Sequence, residues 1–532
     1  MIPSLAEAQP GCGLDPKGEP SLFYDRALTD RFVTREDLRD VIALCTNGEV
    51  LVSEGYQDEV RVQNLLALIR IGWKAYRCTR PVPYPVLRDL GSEARPVHPT
   101  EDAGVMVNQA RQMLAEAARQ EVSDIHLVMD ANGRMGTVLM RVYGDLRRVR
   151  QMKLHEAEEL AGVIYGVMAE EGEGHYNPSA PQKARIGIRG GHLPPGLHGI
   201  RIQSTPILGG SMMVLRLLPK DVGVDGDSLS ETLCGLGYTP EQGTQMSRLL
   251  DHASGITVIS GPTGSGKTTT LVAALKSLRS RQHTRHLLTL EDPPEYQIEG
   301  VRQIPVQHED WGRHIEEVMR LDPDIVMVGE VRSREGAVGT LQVANTGHLV
   351  LTTVHANSAW KILARLLDLC DKPENQTLLY DPSVLRGLVA QRLVQTLCSH
   401  CSRPLEEDDS SIPVRDAGIL RTLLGHRWAQ ARRRGPGCPR CQTGQGALMG
   451  IAGRSVVAEV VTTTRDLLHQ AREEGVEQAE RAWTRHPDSL TMARHWLMRF
   501  AQGEVEYDSR RGLDLVLEEE AEWSAERIGE GP

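Results

Sequence analysis

The stretch Gly255–Leu271 reads GITVISGPTGSGKTTTL, an apolar run that breaks into a glycine-rich turn and then into a helix. Its centre, Gly261 to Thr268, fits G-x-x-x-x-G-K-[ST], a phosphate-binding loop. Gly261, Pro262, Thr263, Gly264, Ser265 and Gly266 form the turn, where glycine lets successive N–H groups curl toward phosphate oxygens. The helix that follows adds its positive end. Lys267 is expected at the β and γ phosphates of ATP, Thr268 on the Mg²⁺ that bridges them, and Thr269 beside it. Ile256–Ile259 supply a buried strand before the loop and Leu271–Leu278 an apolar-periodic helix after it, the context that distinguishes the motif from a chance glycine turn.

A chain of 532 residues, 40% hydrophobic, is too long for one core; at about 150 residues per domain it predicts three or four. The net charge of −11 gives no global field for nucleic acid or an anionic membrane surface, so no direct nucleic-acid partner is expected. No apolar run approaches the ~20 residues of a membrane-spanning helix, and Met1–Gly18 lacks the order of a signal peptide, which predicts a cytosolic chain. Of nine cysteines, Cys12, Cys45, Cys78, Cys234 and Cys370 are scattered singly, unlike a secreted disulfide framework.

Residues 1–20, rich in Pro and Gly, predict a flexible start. A small α/β unit is expected over 21–91: Thr34 caps a helix with Asp37 three residues on, Glu49–Val52 reads as a strand, and Val60–Ile71 has helical spacing. Pro81, Pro83, Pro85, Pro96 and Pro99 then predict an extended connector. An α+β domain follows over 100–218, with a helix at Val107–Ala118, strands at SDIHLVMD and Thr137–Val142, and a helix carrying Leu154, Ala157, Leu160, Ala161, Ile164 and Met168 on one face. Its last strands place Arg201 between Ile200 and Ile202, and Arg216 between Leu215 and Leu217, so the arginines face away from the apolar side. From pattern alone they read as solvated or salt-bridged. After a linker with Pro219, Gly223, Gly226 and Asp227 comes the nucleotide domain, 228–395. There Leu287–Leu290 ends in Glu291, Asp292 and Glu295, Ile325–Val328 closes on Gly329 and Glu330, and Leu349–Val354 is bracketed by His348 and His355. Strand ends of a doubly wound sheet meet at one edge, so these groups are expected to converge on the phosphates, with the acid after Ile325–Val328 facing Mg²⁺ and water.

These motifs resemble those of the secretion ATPase superfamily, specifically the type II secretion and type IV pilus assembly ATPases, over roughly Gln109–Glu459 and, as an expectation, the helical tail as well. The resemblance implies a RecA-like P-loop α/β core preceded by an α+β (PAS-like) domain, a small N-terminal α/β unit, and a C-terminal zinc-binding and helical region. It implies that LEDPPEY at Leu290–Tyr296 is an Asp box whose Glu295 is the general base, that Glu330 is the Mg²⁺-side acid, and that His348 and His355, in TGHLVLTTVHAN, sense the γ-phosphate. Arg201 and Arg216 would belong to the domain that closes over the nucleotide. SDIHL at Ser123 matches as well. The chain departs from the pattern in having Ser333 after Arg332, Ser211 after Gly210, and no Arg-Leu-Gly opening of the kind that binds a cyclic dinucleotide. The family implies a homo-oligomeric ring, expected as a hexamer, at the cytoplasmic face of the inner membrane, with a membrane platform protein as partner and pilus or pseudopilus assembly as output. A DNA-uptake or conjugation ATPase and a nucleotide-binding scaffold without turnover remain alternatives.

Cys398, Cys401, Cys438 and Cys441 form two C-x-x-C pairs with 36 residues between Cys401 and Cys438, a pattern suited to tetrahedral Zn²⁺. Pro404–Arg434 is then a protruding insert within a module at 396–460, and Arg432–Arg434 a solvated basic run. The assembly ATPases carry a similar zinc module, which favours export over retraction. After Glu459 the chain reads helical over 461–532, with a frayed acidic tail from Glu518.

Overall fold

The computed structural model describes residues 28–29, 32–33, 38, 41–57, 59–82, 87, 101–172, 175–220, 228–306, 311–406, 411–441, 449–513 and 517–521. The start at 1–20, the Thr34–Asp37 cap, Pro83, Pro85, Pro96, Pro99, Gly223, Gly226 and Asp227 lie outside the described residues. The chain divides into two units, Met1–Gly104 and Val105–Pro532.

In the first unit, β1 (Ile42–Leu44), β2 (Glu49–Ser53) and β3 (Cys78–Val82) form a sheet in that order, with α1 (Val60–Gly72) between β2 and β3 in the chain. Ile42, Leu44, Val50 and Val52 pack with Leu66 and Ile69 of α1, as the two periodicities require. Pro81, expected in the connector, instead lies in β3. An edge strand tolerates the missing N–H.

The second unit opens with an antiparallel sheet. Its elements are α2 (Glu101–Arg119), β4 (Val122–Asp130), β5 (Met135–Val142), β6 (Asp145–Lys153), α3 (Leu154–Val163), β7 (Glu171–Gly172), β8 (Gln182–Ile186), β9 (Leu197–Ile207) and β10 (Gly210–Pro219), ordered β6-β5-β4-β10-β9-β8-β7. Leu114 of α2 and Leu160 of α3 share a core with Ile125, Leu127, Ile200, Ile202 and Leu215. On the opposite face, which also carries Met212 and Val214, the β9–β10 register sets Arg201 directly across from Arg216.

The third group of elements surrounds a seven-stranded sheet ordered β13-β12-β14-β15-β11-β16-β19. In chain order it comprises α4 (Leu229–Leu236), α5 (Pro240–Leu250), β11 (Gly255–Ser260), α6 (Lys267–Arg281), β12 (Leu287–Glu291), β13 (Arg302–Pro305), α7 (Trp311–Met319), β14 (Ile325–Val328), α8 (Arg334–Asn345), β15 (Leu349–Val354), α9 (Ala359–Leu369), α10 (Pro373–Leu379), β16 (Leu385–Leu397) and β19 (Ile451–Thr462). All neighbours pair in parallel except β16 with β19. Both faces are covered, as an almost wholly parallel sheet demands. Val258 packs on one side with Ile315, Leu341 and Trp360, while the adjacent Ile259 packs on the other with Leu233, Leu271 and Leu275.

The tetracysteine segment is an insertion between two neighbouring strands of this sheet, so boundaries at 395/396 and 460/461 fall inside β16 and β19. The insertion carries β17 (Arg403–Pro404), α11 (Val414–Leu424) and β18 (Arg432–Arg433). Leu420 of α11 packs with Trp496 and Phe500 of a C-terminal helix, so the insert is docked rather than free. Where it leaves and rejoins the sheet, Leu397 and Ile451 enter the core of the first antiparallel sheet, and Gln395 Nε2 donates to Tyr143 O at 3.0 Å.

Glu459 sits within β19, and helices begin only at α12 (Arg465–Glu473), followed by α13 (Val476–Arg485) and α14 (Met492–Ala501). Its buried carboxylate accepts from Ala359 N and Met492 N, at 3.0 and 3.2 Å, and so caps α9 and α14 together. The acidic tail is held where it is described: Glu518 meets Arg415 at 2.8 Å, and the buried Glu520 meets Arg494 at 3.2 Å.

His495 joins α14 to β19, its Nδ1 accepting from Ala458 N at 3.1 Å. A proton on that nitrogen would face another donor. Burial, then the Arg499 charge, lowers its pKa from the ordinary 6.5 to about 4. Because the folded pKa is depressed, neutral His495 supports the fold above pH 6.5, and on the order of 3 kcal/mol is lost as pH falls from 6.5 to 4. Chemical melts across that window are expected to show a smaller loss in His495→Asn, which keeps the acceptor without the titration, than in the wild type.

Candidate nucleotide site

β11 ends at Ser260, beside Val354 of β15 and Ala390 of β16, and the chain turns out over the sheet edge. Gly264 and Gly266 take φ of 79° and 86°, values that a side chain disfavours. A Cβ on Gly261 would lie 2.3 Å from Ser265 Oγ and 2.5 Å from Gln391 O, so the loop closes tightly against β16. Gly266 is the N-cap of α6 and offers no side chain to its first N–H groups. These amides are available to an anion, with the helix dipole behind them. Ser265 Oγ is buried without a hydrogen-bond partner among the described residues. Thr268 and Thr269, in the first turn, remain half-buried. Uncapped amides, an orphan hydroxyl and a lysine at the helix start suit a nucleotide phosphate with Mg²⁺ at Thr268.

Lys267 Nζ donates to Gly261 O at 2.7 Å and Pro262 O at 3.1 Å, folding back over its own loop. Burial is the main influence on its pKa, which is lowered, with the Glu330 charge opposing. Glu330 follows β14 at the same edge. Burial would raise its carboxyl, but the hydrogen bond and charge of Arg332, with His355 and Lys267, hold it below the usual range. Arg332 Nη2 donates to Glu330 Oε2 at 2.7 Å. His355, just past β15, places Nε2 3.1 Å from Glu330 Oε1 and Nδ1 3.1 Å from Gly261 O, bridging acid and loop. Ser333, where the family pattern has an acid, caps α8 by accepting from Gly336 N at 3.2 Å, so the departure preserves a cap.

The carboxylates at and beyond the end of β12 divide in role. Glu291 is buried and accepts from Thr289 Oγ1 at 2.7 Å and Gln303 Nε2 at 2.9 Å; burial raises its pKa, so it belongs to the framework. Glu295 is half-buried in the loop facing the antiparallel sheet. Arg201 reaches across to that loop, donating to Pro293 O at 2.9 Å and standing 3.8 Å from Glu295 Oε1. Arg216 does not follow. It pairs within its own sheet to Asp124 of SDIHL at 2.9 Å.

His348 is also not brought to the edge. It precedes β15, and the parallel register, with Leu349 beside Gly255 and Val354 beside Ser260, leaves it at the far end of the strand, about 20 Å from the loop. Its Nδ1 lies 3.1 Å from Val343 O and 3.2 Å from Thr346 Oγ1. The expectation that both histidines meet the γ-phosphate fails for this one, because two ends of one strand lie at opposite edges. Sequence reasoning missed Gln391 and Arg392, buried polar residues at the same edge. The signal was present as two polar residues inside the apolar run LVAQRLV.

The four cysteines meet as expected. Their sulfurs lie within 4.8 Å of one another, with Cys398–Cys438 and Cys401–Cys441 at 3.8 Å and Cys438–Cys441 at 3.7 Å. The edge of an S₄ tetrahedron with bonds of ~2.3 Å is about 3.8 Å, so the set fits zinc. Cys438 N and Gly450 N donate to Cys441 Sγ at 3.2 and 3.3 Å, favouring a thiolate. The arginines expected on a solvated face instead brace this module: Arg432 donates to Ser402, Arg433 to Glu406 and Arg434 to Met449 O.

Residues 99–509 match the family described as Type II/IV secretion system protein. The chain belongs to that family. The family's Type II secretion system protein E from Pseudomonas aeruginosa is 35% identical over 406 residues, covering 75% of this chain and 73% of the relative. The family's Type II secretion system ATPase E from Vibrio cholerae is 33% identical over 398 residues, 72% and 71% of the two chains. Among solved structures, the pilus retraction motor PilT with bound ADP covers 77% of this chain and 98% of its own, at 20% identity and a TM-score of 0.51. The Legionella pneumophila ATPase DotB covers 82% and 98%, at 19% identity and a TM-score of 0.52. Both share the family fold. No helix among the described residues is long and apolar enough to cross a membrane.

Protein purified without chelator is expected to carry about one zinc per chain. Cys401→Ser and Cys438→Ser should each lose it and lower the melting temperature, since metal binding contributes directly to folding. Metal analysis beside thermal melts checks both.

Proposed function

We propose that this chain is an ATP-hydrolysing motor that drives assembly of a type IV pilus or a type II secretion pseudopilus. It works as a ring, a hexamer by family resemblance, on a platform protein at the cytoplasmic face of the inner membrane. The observation that carries the reading is the convergence of Lys267, Glu330 and His355 on one loop at one sheet edge, with Arg201 arriving from a second sheet.

The N–H groups of Thr263–Thr269, in the loop and at the start of α6, bind the phosphates, and Lys267 exchanges its carbonyl partners for phosphate oxygens. Thr268 and Glu330 would hold Mg²⁺, which when bound neutralises charge on the phosphates. Glu295 accepts a proton from the attacking water. Its neighbour Arg201 orients that carboxylate and, as the antiparallel sheet closes, supplies positive charge to the γ-phosphoryl group. Arg216 can join only by leaving Asp124. His355 touches both Gly261 O and Glu330, so loss of the γ-phosphate alters its two partners together. Movement of the arginine-bearing sheet against the nucleotide sheet is the mechanical output. Cys398, Cys401, Cys438 and Cys441 would hold a zinc ion, which when bound would stiffen the insertion that contacts the antiparallel sheet. The intact Lys267, Glu295 and Glu330 favour turnover over a nucleotide-binding scaffold.

Lys267→Ala should lose nucleotide affinity, whereas Glu330→Gln should bind ATP and hydrolyse it on the order of 10²-fold or more slowly. Equal rates of phosphate release in wild type and Glu330→Gln contradict the mechanism. Arg201→Ala should cut turnover by about 10³ with ADP binding retained. Lysine should rescue poorly, because an ammonium lacks the planar fork. A role as an exposed ion pair predicts a stability change of about 1 kcal/mol or less and near-normal rates.

A further inference from the structure

β16 runs past the end of its neighbour. Ser260, the last residue of β11, registers with Ala390, so on that side Gln391 and Arg392 continue beside the phosphate loop, while on the other they still pair with Ala458 and Val457 of β19. Successive residues of a strand point to opposite faces, and here the two faces serve two different loops.

Gln391 is fully buried. Its Nε2 donates to Ser265 O at 2.7 Å, and its Oε1 accepts from Tyr238 OH at 2.6 Å and from Thr270 Oγ1 at 3.0 Å. The carbonyl of Ser265 demands a donor and the two hydroxyls supply protons, so the partners fix the amide's orientation. The same residue lines the loop at both ends: a Cβ on Gly261 would meet its carbonyl at 2.5 Å, and one on Gly266 its Nε2 at 3.2 Å. The loop is therefore clamped at its first, fifth and sixth positions by one side chain and its backbone. An amide at this depth is costly unless its bonds are made, and the bonds it makes are to the loop, to the first turn of α6 and to Tyr238.

Arg392, on the other face, is also buried. Its Nη2 donates to Asn357 O at 3.1 Å and to Asn357 Oδ1 at 3.2 Å, and its Nη1 donates to Gln391 O at 3.1 Å. Asn357 lies two residues beyond His355, the ring that bridges Gly261 O and Glu330. We infer that Gln391 and Arg392 are paired positioning residues: Gln391 holds the phosphate loop in its binding shape, and Arg392 holds the His355 loop in register with Glu330. Neither is placed on the nucleotide itself. The Arg392 half rests on the ATP-hydrolysis reading above; the Gln391 half rests on phosphate binding alone.

The two halves predict opposite kinetic signatures in the full-length protein. Gln391→Glu keeps the volume and the acceptor for Tyr238 and Thr270 but loses the N–H to Ser265 O. Gln391→Met keeps the length and loses every polar contact. Both should weaken binding of a fluorescent ADP analogue about tenfold, with turnover at saturating ATP within about threefold of wild type. Arg392→Gln should bind ADP within about threefold of wild type and lose turnover about tenfold or more, with Arg392→Lys recovering only part because it cannot span both Asn357 oxygens. This split supports the inference. If affinity and rate fall together in proportion to melting temperature in all variants, or if neither changes, the inference is overturned. A wild type that binds ADP without hydrolysing ATP removes the motor reading instead, and the ADP arm then still decides the role of Gln391.

Discussion

Backbone amides can be aimed at a phosphate only if the turn that carries them is kept from relaxing, and in this chain the restraint is the edge of the seven-stranded sheet. Gly261 and Gly266 lie against Gln391, Ser265 O is taken by its amide, and Lys267 is tied to Gly261 O and Pro262 O. The rest of the site hangs from the same edge: β14 delivers Glu330, β15 delivers His355, and β16 delivers Gln391 and Arg392. Parallel strands end together, and this brings residues from 261 to 392 into one place. The two apolar layers on either face, around Trp360 and around Leu271, keep that edge from shifting.

The antiparallel sheet adds what the edge lacks. Its buried face is satisfied by α2 and α3, and Arg201 and Arg216 stand on the other face. Arg201 is already engaged with the Glu295 loop, while Arg216 is held by Asp124. The two guanidiniums are thus in different states although they stand opposite one another on adjacent strands. Tyr143, Leu397 and Ile451 link this sheet to β16 and β19, the same strands that frame the tetracysteine insertion. Motion at the nucleotide edge therefore has a short covalent and packed route to both.

Much of this was legible in the sequence wherever one local segment carries the whole signal. The phosphate loop, the strands before Glu330 and His355, the cysteine pairs and the alternation around Arg201 and Arg216 are of that kind. Three features were hidden for physical reasons. β6 is largely polar because much of it is exposed, so it lacks the apolar alternation of its neighbours. Gln391 and Arg392 sit in an apolar run, and their partners at Ser265 and Asn357 lie 126 and 35 residues away, beyond any local pattern. His348 resembles a partner of His355 because both flank one strand, yet that strand carries them to opposite edges. Glu459 was read as the point after which the chain turns helical, whereas it lies inside β19 and caps two helices from within the sheet.

The central claim is that one sheet edge forms an ATP site which the arginine-bearing sheet completes. A structure of the full chain with Mg²⁺ and a non-hydrolysable ATP analogue tests it most directly. The account predicts the triphosphate on the amides of Thr263–Thr269, Lys267 Nζ moved from the Gly261 and Pro262 carbonyls to phosphate oxygens, Ser265 O still on Gln391, and Arg201 moved from Pro293 O toward the γ-phosphate. A bound nucleotide with Lys267 still on its own loop, or with Arg201 still on Pro293 O, would contradict it.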